Sequence, residues 1–345
     1  MTRLERLAER LGERLLVTDL VNVRYLTGFE SSNAALLVDP DGPATLFTDF
    51  RYIEEASKVP GVELEQSKRS LMSDLGQRLS GRLAFEADSA RYGDVEKLRS
   101  GSLELVETHG EVEALRALKD VDELTLIRRA SLAAERGFEA LTAETWVGHS
   151  ERELAWRLRV LFNAHGAEGL AFETLIAGGP NGSRPHAKPG DDLVEGRTLV
   201  IADFGVSIGG YCSDCTRTLA TGELPRELRT IYELCLEAQL AAVAGIRPGM
   251  SGVEADRLAR DVIEAGGYGE QFGHGLGHGV GLQVHEAPIL SRESRDTLEE
   301  GQVITIEPGI YLPGVGGVRI EDLAVVGSDG VELLSSFPKE LIAVG

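Results

Sequence analysis

Apolar positions in the first hundred or so residues fall in short runs, not long stripes. Runs at 15–19, 34–38 and 44–48 read as strands, and Asp39-Pro40-Asp41-Gly42 supplies turn chemistry between the last two, predicting a hairpin. Residues 22–28 predict a short helix closed by Gly28, and 52–59 a crossover helix ending before Pro60. Arg and Glu alternate with Leu at helical spacing over 1–15, predicting an amphipathic surface helix. With β-like runs at 83–86 and 103–106, a small α/β unit is complete by about residue 110.

From residue 112 the pattern changes to long, charged, amphipathic helices over 121–142 and 150–165. Ser150 followed three residues later by Glu153 predicts a capping box for the second. The change of pattern divides the chain into domains 1–115 and 116–345. Strands follow residue 170, then helices over 226–246 and 252–265, punctuated by Pro225 and Pro248-Gly249, and a glycine-dense stretch over 266–281.

Composition narrows the classes. A chain of 345 residues with 42% hydrophobic content can build real cores, which excludes disorder as an overall description. The net charge of −21 argues against a sequence-independent grip on nucleic acid or anionic membrane, since both need surplus Lys and Arg. No apolar run approaches the length of a membrane span, and 1–15 lacks the apolar core of a signal peptide. Cys212, Cys215 and Cys235 are too few for a disulfide framework and fit a reducing, cytoplasmic compartment. The Cys212/Cys215 pair lacks the second pair of a zinc site and the helix start of a redox motif.

The stretch 199–218 places two β-type runs around Gly209-Gly210, a two-residue hairpin signal. That turn sets Ile208 opposite Tyr211 and Asp203 opposite Thr216, so Asp203 and Asp214 share a face as diagonal neighbours about 7–8 Å apart at the backbone. A one-residue slip would separate them. Asp203 follows an apolar run that reads as buried, and a buried carboxylate calls for a cation or a proton. A second hairpin repeats the device with glutamates: a turn centred on Gly314 sets Glu307 opposite Glu321, with Arg319 on the same face as Glu321. Facing like charges need something positive between them, either a cation or Arg319 alone.

Between the hairpins, 273–286 interleaves Gly273, Gly275, Gly277, Gly279 and Gly281 with His274 and His278 and ends on His285-Glu286. Alternating glycines mark places where backbone approaches something closely. The spacing fails the dinucleotide, phosphate-loop and zincin patterns, and no nucleophile elbow is present. Four carboxylates with one or two imidazoles are too oxygen-rich for structural zinc and too imidazole-bearing for calcium. They suit a pair of Mn, Co, Fe or Zn ions, which make a nucleophile of water near neutral pH and polarise a carbonyl.

The order Asp, Asp, His, Glu, Glu resembles the pita-bread metallopeptidase family, which includes methionine aminopeptidase, prolidase, Xaa-Pro aminopeptidase and creatinase. The matching positions are Asp203 in IADFG, Asp214 in YCSDCTRT, His278 in HGLGHGVG, Glu307 in TIEPGIY and Glu321 in GVRIED. Residues 22–29 and 48–52 are similar to the N-terminal domain of the prolidase and Xaa-Pro aminopeptidase branch, which argues against methionine aminopeptidase; the full ligand set argues against creatinase and against a binding protein that has lost catalysis. The resemblance implies a pita-bread α/β catalytic domain behind a smaller α/β domain, two divalent metal ions (Mn, Co or Zn), hydrolysis of Xaa-Pro dipeptides or short proline-containing peptides, and a homodimer. It implies that Asp203 chelates one metal, Asp214 and Glu321 bridge both, and His278 and Glu307 complete the second site. Glu307 would also carry a proton to the leaving proline nitrogen, His186 and His285 would hold the substrate and its oxyanion, Arg319 would orient a bridging carboxylate, and His274 would lie close by. One position departs: several prolidases place an Arg four residues after the second histidine to pin the dipeptide carboxylate, and here Ile289 stands there. The resemblance favours dipeptidase over aminopeptidase, with Arg51 or Arg184 as candidate replacements.

Overall fold

The computed structural model describes residues 1–99 and 101–345, which form two compact units, Met1–Arg116 and Ala117–Gly345.

The first unit is a mixed α/β layer. Its elements in order are α1 (Arg3–Ala8), β1 (Leu15–Val17), α2 (Leu20–Thr27), β2 (Ala34–Val38), β3 (Thr45–Thr48), α3 (Ile53–Ala56), β4 (Glu63–Gln66), α4 (Leu71–Arg78), β5 (Ser80–Glu86), α5 (Tyr92–Arg99), β6 (Ser102–Thr108) and α6 (Glu113–Ala117). The strands form one sheet in the order β4-β3-β2-β1-β5-β6, antiparallel at β1/β2 and β2/β3 and parallel elsewhere. The expected hairpin over 34–48 is present, and Gly28 closes α2 with φ 72°. Two expected helices are shorter than their patterns. Helix α1 ends at Ala8 in a turn through Arg10 and Leu11 before Gly12, and α3 is one turn, enough to cross from β3 to parallel β4. Strand β4 carries no apolar pattern because it lies at the sheet edge with only Leu64 half-buried.

The second unit repeats one order of elements, two helices and then a long hairpin. Helices α7 (Val121–Thr142) and α8 (Glu151–Ala164) precede β7 (Gly169–Leu170), β8 (Leu175–Gly178), β9 (Leu199–Phe204), β10 (Val206–Ile208), β11 (Tyr211–Cys212) and β12 (Cys215–Ala220). Helices α9 (Arg226–Gly245) and α10 (Gly252–Ala265) precede β13 (Gly277–Gly279), β14 (Glu286–Leu290), β15 (Val303–Ile306), β16 (Gly309–Leu312), β17 (Gly316–Arg319), β18 (Asp322–Gly327) and β19 (Gly330–Leu333). Each half has its own core: Phe138, Phe162 and Phe204 pack with Trp146 behind the first hairpin, while Ile231, Ala238, Ile263 and Ile304 fill the second. The Ser150 capping box forms by half. Ser150 accepts from the Glu153 N–H, but the Glu153 carboxylate turns to His149 Nδ1 at 2.9 Å instead of reaching back.

Candidate metal centre

In the first hairpin Ile208 lies opposite Tyr211 and Asp203 opposite Thr216, with Gly209 and Gly210 both at positive φ in the turn. This is the expected register, and it sends Asp203 and Asp214 to one side. In the second, Ile306 pairs with Asp322 and Gly309 with Arg319, so one register runs through the whole hairpin. Glu307 and Glu321 face each other at the break between the two ladders, where Pro308 has no N–H to give. The Glu321 N–H donates to Thr216 O at 3.0 Å, which brings the hairpins edge to edge.

Asp203, Asp214 and Glu321 offer carboxylate oxygens within 4.8 Å of one another. His278, on β13, points Nε2 at Glu307 Oε1 (3.3 Å) and Asp214 Oδ2 (3.8 Å). Its Nδ1 lies 3.1 Å from Gly279 O, which assigns the ring proton to Nδ1 and leaves a lone pair on Nε2 facing two carboxylates. The flanking glycines are sterically required: a Cβ on Gly277 would meet Thr305 O at 2.1 Å, and one on Gly279 would meet Ala287 O at 2.1 Å.

The electrostatics of this cluster favour a bound cation. Burial, reinforced by the neighbouring carboxylates, holds Asp214 and Glu321 well above the ordinary carboxylate range. Burial pushes Glu307 up to about 7. Asp203 Oδ1 is buried with no hydrogen-bond partner in the protein. Arg319 does not neutralise the glutamates by itself, because its fork is committed elsewhere: Nη2 to Asp203 Oδ2 (2.6 Å), Nη1 to the Tyr311 hydroxyl (2.7 Å) and Nε to Thr216 Oγ1 (3.1 Å). Four acids, one guanidinium and an imidazole lone pair turned inward fit divalent cations bound by oxygen and nitrogen.

The remaining candidates surround this centre. His285 lies against His278, ring centroids 4.3 Å apart, and His186 stands on the loop 178–190; both line the same cavity of about 810 Å³ as the carboxylates. His274 lines it too, but its Nε2 accepts from the Tyr311 hydroxyl at 3.0 Å, joining a chain that runs through Arg319 to Asp203. Burial, with Arg319 nearby, pushes its imidazole down to about 4.

Several supporting groups escape a reading of motifs. Thr216 donates to Glu321 Oε2 (2.7 Å) and Thr305 to Glu307 Oε1 (3.2 Å). Thr216 was detectable as the residue facing Asp203 in the predicted register. Tyr311 and Glu151 gave no such signal. Glu151, buried at the start of α8, accepts from Gly178 N (2.8 Å), Asn181 Nδ2 (2.5 Å) and Gly190 N (2.9 Å), tying together both ends of the His186 loop. Cys212, Cys215 and Cys235 are free and buried.

The sequence profile of metallopeptidase family M24 matches residues 125–328, spanning both hairpins, and that of the creatinase/prolidase N-terminal domain matches residues 3–118. The chain belongs to metallopeptidase family M24. This M24 peptidase is 41% identical to an uncharacterised peptidase of Bacillus subtilis and 36% identical to an Xaa-Pro dipeptidase of Pyrococcus furiosus, each over 99% of both chains. Among solved structures it resembles an Xaa-Pro dipeptidase from Bacillus anthracis (TM-score 0.94, 37% identity, 99% of both chains). It also resembles an X-Pro aminopeptidase from Thermotoga maritima (TM-score 0.89, 32% identity, 98% of this chain and 100% of the other). The two-domain architecture, a creatinase-type N-terminal domain before a pita-bread domain, is that of the prolidases.

Proposed function

We propose that this M24 peptidase hydrolyses Xaa-Pro bonds as a metal-dependent dipeptidase, holding two divalent ions (Mn, Co or Zn) on Asp203, Asp214, His278, Glu307 and Glu321. The observation that carries this reading is the convergence of acceptor groups: Asp203, Asp214 and Glu321 gather carboxylate oxygens within 4.8 Å while Asp203 Oδ1 has no partner, and the His278 lone pair faces Asp214 and Glu307. The relatives named Xaa-Pro dipeptidase support the substrate class.

Divalent ions held there supply Lewis acidity, polarising the scissile carbonyl and making water nucleophilic near neutral pH. The chain's own residues do the rest. Glu307 takes a proton from the attacking water and gives it to the leaving proline nitrogen. His186 and His285, at the open side of the cluster, donate hydrogen bonds to the substrate carbonyl oxygen as negative charge develops on it. Arg319 fixes the orientation of Asp203, and Tyr311 and His274 fix Arg319. We assign the chemistry to residues 116–345 and a specificity role to residues 1–115, in a cytoplasmic homodimer; the three free cysteines support a reducing compartment.

A second reading, Xaa-Pro aminopeptidase, is favoured by Ile289, which leaves no arginine at that point of the cavity, and by the likeness to the Thermotoga enzyme. Metal-reconstituted hydrolysis of Ala-Pro against Ala-Pro-Ala separates the two. Faster cleavage of Ala-Pro is expected; no cleavage of either by protein with two metals bound would overturn both readings.

A further inference from the structure

The floor of the cavity is lined by acids, but its wall carries cations. Helix α8 presents Arg152, Trp156 and Arg159 to the cavity. These residues are spaced four and three apart and so share one face, a strip about 10 Å long at 1.5 Å per residue. Trp156 is 62% exposed, and the Arg159 guanidinium lies over its ring, 5.8 Å from the centroid. Lys188, on the loop 178–190, lines the same cavity.

Charge pairing distinguishes these cations. Arg152 is paired with Asp191 at 2.8 Å. Neither Arg159 nor Lys188 has a carboxylate partner among the described residues, and Glu173, the acid beside them in the wall, pairs with neither. In a chain of net charge −21 with 56 acidic residues, two unneutralised cations lining one cavity mark a place that receives an anion.

The arginines expected to replace the missing one at Ile289 are otherwise engaged. Arg51 grips buried Asp49 with two bonds, at 2.9 and 2.7 Å. Arg184 donates to Asn181 Oδ1 and is not part of the cavity lining.

We propose that Arg159, steadied on the face of Trp156, and Lys188 together form the subsite for the C-terminal carboxylate of the peptide substrate. This rests on the peptidase reading above and specifies how the leaving side of the peptide is held. Stacking pre-orders the guanidinium, so less freedom is lost when it meets a carboxylate, and Lys188 adds a mobile second charge.

The test uses the full, metal-loaded chain with Ala-Pro and Ala-Pro-Ala, each as the free acid and as its C-terminal amide. Arg159→Ala and Lys188→Ala are each expected to raise KM for the free acid about 10-fold at unchanged kcat and to leave the amide unaffected. Equal loss on acid and amide, or no loss on either, overturns the subsite. A binding arm separates this outcome from failure of the Xaa-Pro reading. Trp146 is fully buried, so an emission change on titrating an uncleavable reduced-bond analogue of Ala-Pro-Ala reports on Trp156. If the wild type cleaves none of these substrates, the Xaa-Pro reading fails, and the titration still decides the subsite. Tighter binding of the acid than the amide, abolished in Arg159→Ala, supports it; equal binding overturns it.

Discussion

Arg319, on the second hairpin, donates through Nη2 to Asp203, on the first, at 2.6 Å. The same guanidinium holds Tyr311 and Thr216, so one side chain sets the geometry of both carboxylate-bearing hairpins. Arg319→Lys keeps a charge but cannot span three acceptors. It is expected to lower metal affinity or kcat/KM about 10- to 100-fold. Arg319→Ala also strips half-buried Asp203 of its guanidinium partner and is expected to lower the melting temperature. Calorimetric metal titration and thermal melts check both, and an Arg319→Lys variant with wild-type metal affinity and turnover would contradict this role.

Glu151 lies outside the metal centre and holds the loop 178–190 through three N–H donors. Its removal leaves buried donors unmet at about 1–3 kcal/mol each, so Glu151→Ala is expected to destabilise the protein strongly. Glu151→Gln keeps one oxygen and is expected to fold, with faster amide exchange over 178–190 and a lower kcat/KM through displacement of His186. Unchanged exchange and kinetics would count against the anchor.

Gly279→Ala pushes a Cβ into the Ala287 carbonyl, a backbone group with little freedom to yield. Overpacking of this kind costs about 1–3 kcal/mol. Because His278 is the adjoining residue, weaker metal binding is expected as well. Gly273→Ala is the control, since a Cβ added there would meet nothing within 4 Å. Equal behaviour of the two variants would refute the steric argument.

Glu86 provides a pH signature within the first unit. Burial raises its carboxyl to about 7 from 4.5, although it accepts from Thr18 N, Asp19 N and Asn22 Nδ2. The folded form therefore binds its proton more tightly than the unfolded form does. Its contribution to stability is full below about 4.5 and is lost as pH rises through about 7, an effect of about 3 kcal/mol. Urea unfolding between pH 5 and 8 should show this slope in the wild type and a flatter one in Glu86→Gln. Parallel profiles would exclude Glu86 as its source.

The carboxylate hairpins were legible because their turns are. Gly209-Gly210 and the turn centred on Gly314 fix register locally, and the two-residue period of a strand then decides which residues share a face. Helix α7 was legible from its apolar period, and α10 likewise. Strand β4 was not, because an edge strand with one half-buried side chain needs no alternation, and the cap at Ser150 came out by half because His149 competes for Glu153.

By itself the sequence determined which acids pair within each hairpin and which histidine stands among close-packed glycines, since those relations span a few residues and follow from backbone geometry. Only the tertiary structure decided that Arg319 serves Asp203 and not the glutamates, that His274 bonds to Tyr311, that Glu151 fastens the His186 loop, and that Arg159 faces the cavity. Each of these joins different secondary-structure elements. Such contacts depend on how helices and hairpins pack, and no local spacing encodes them.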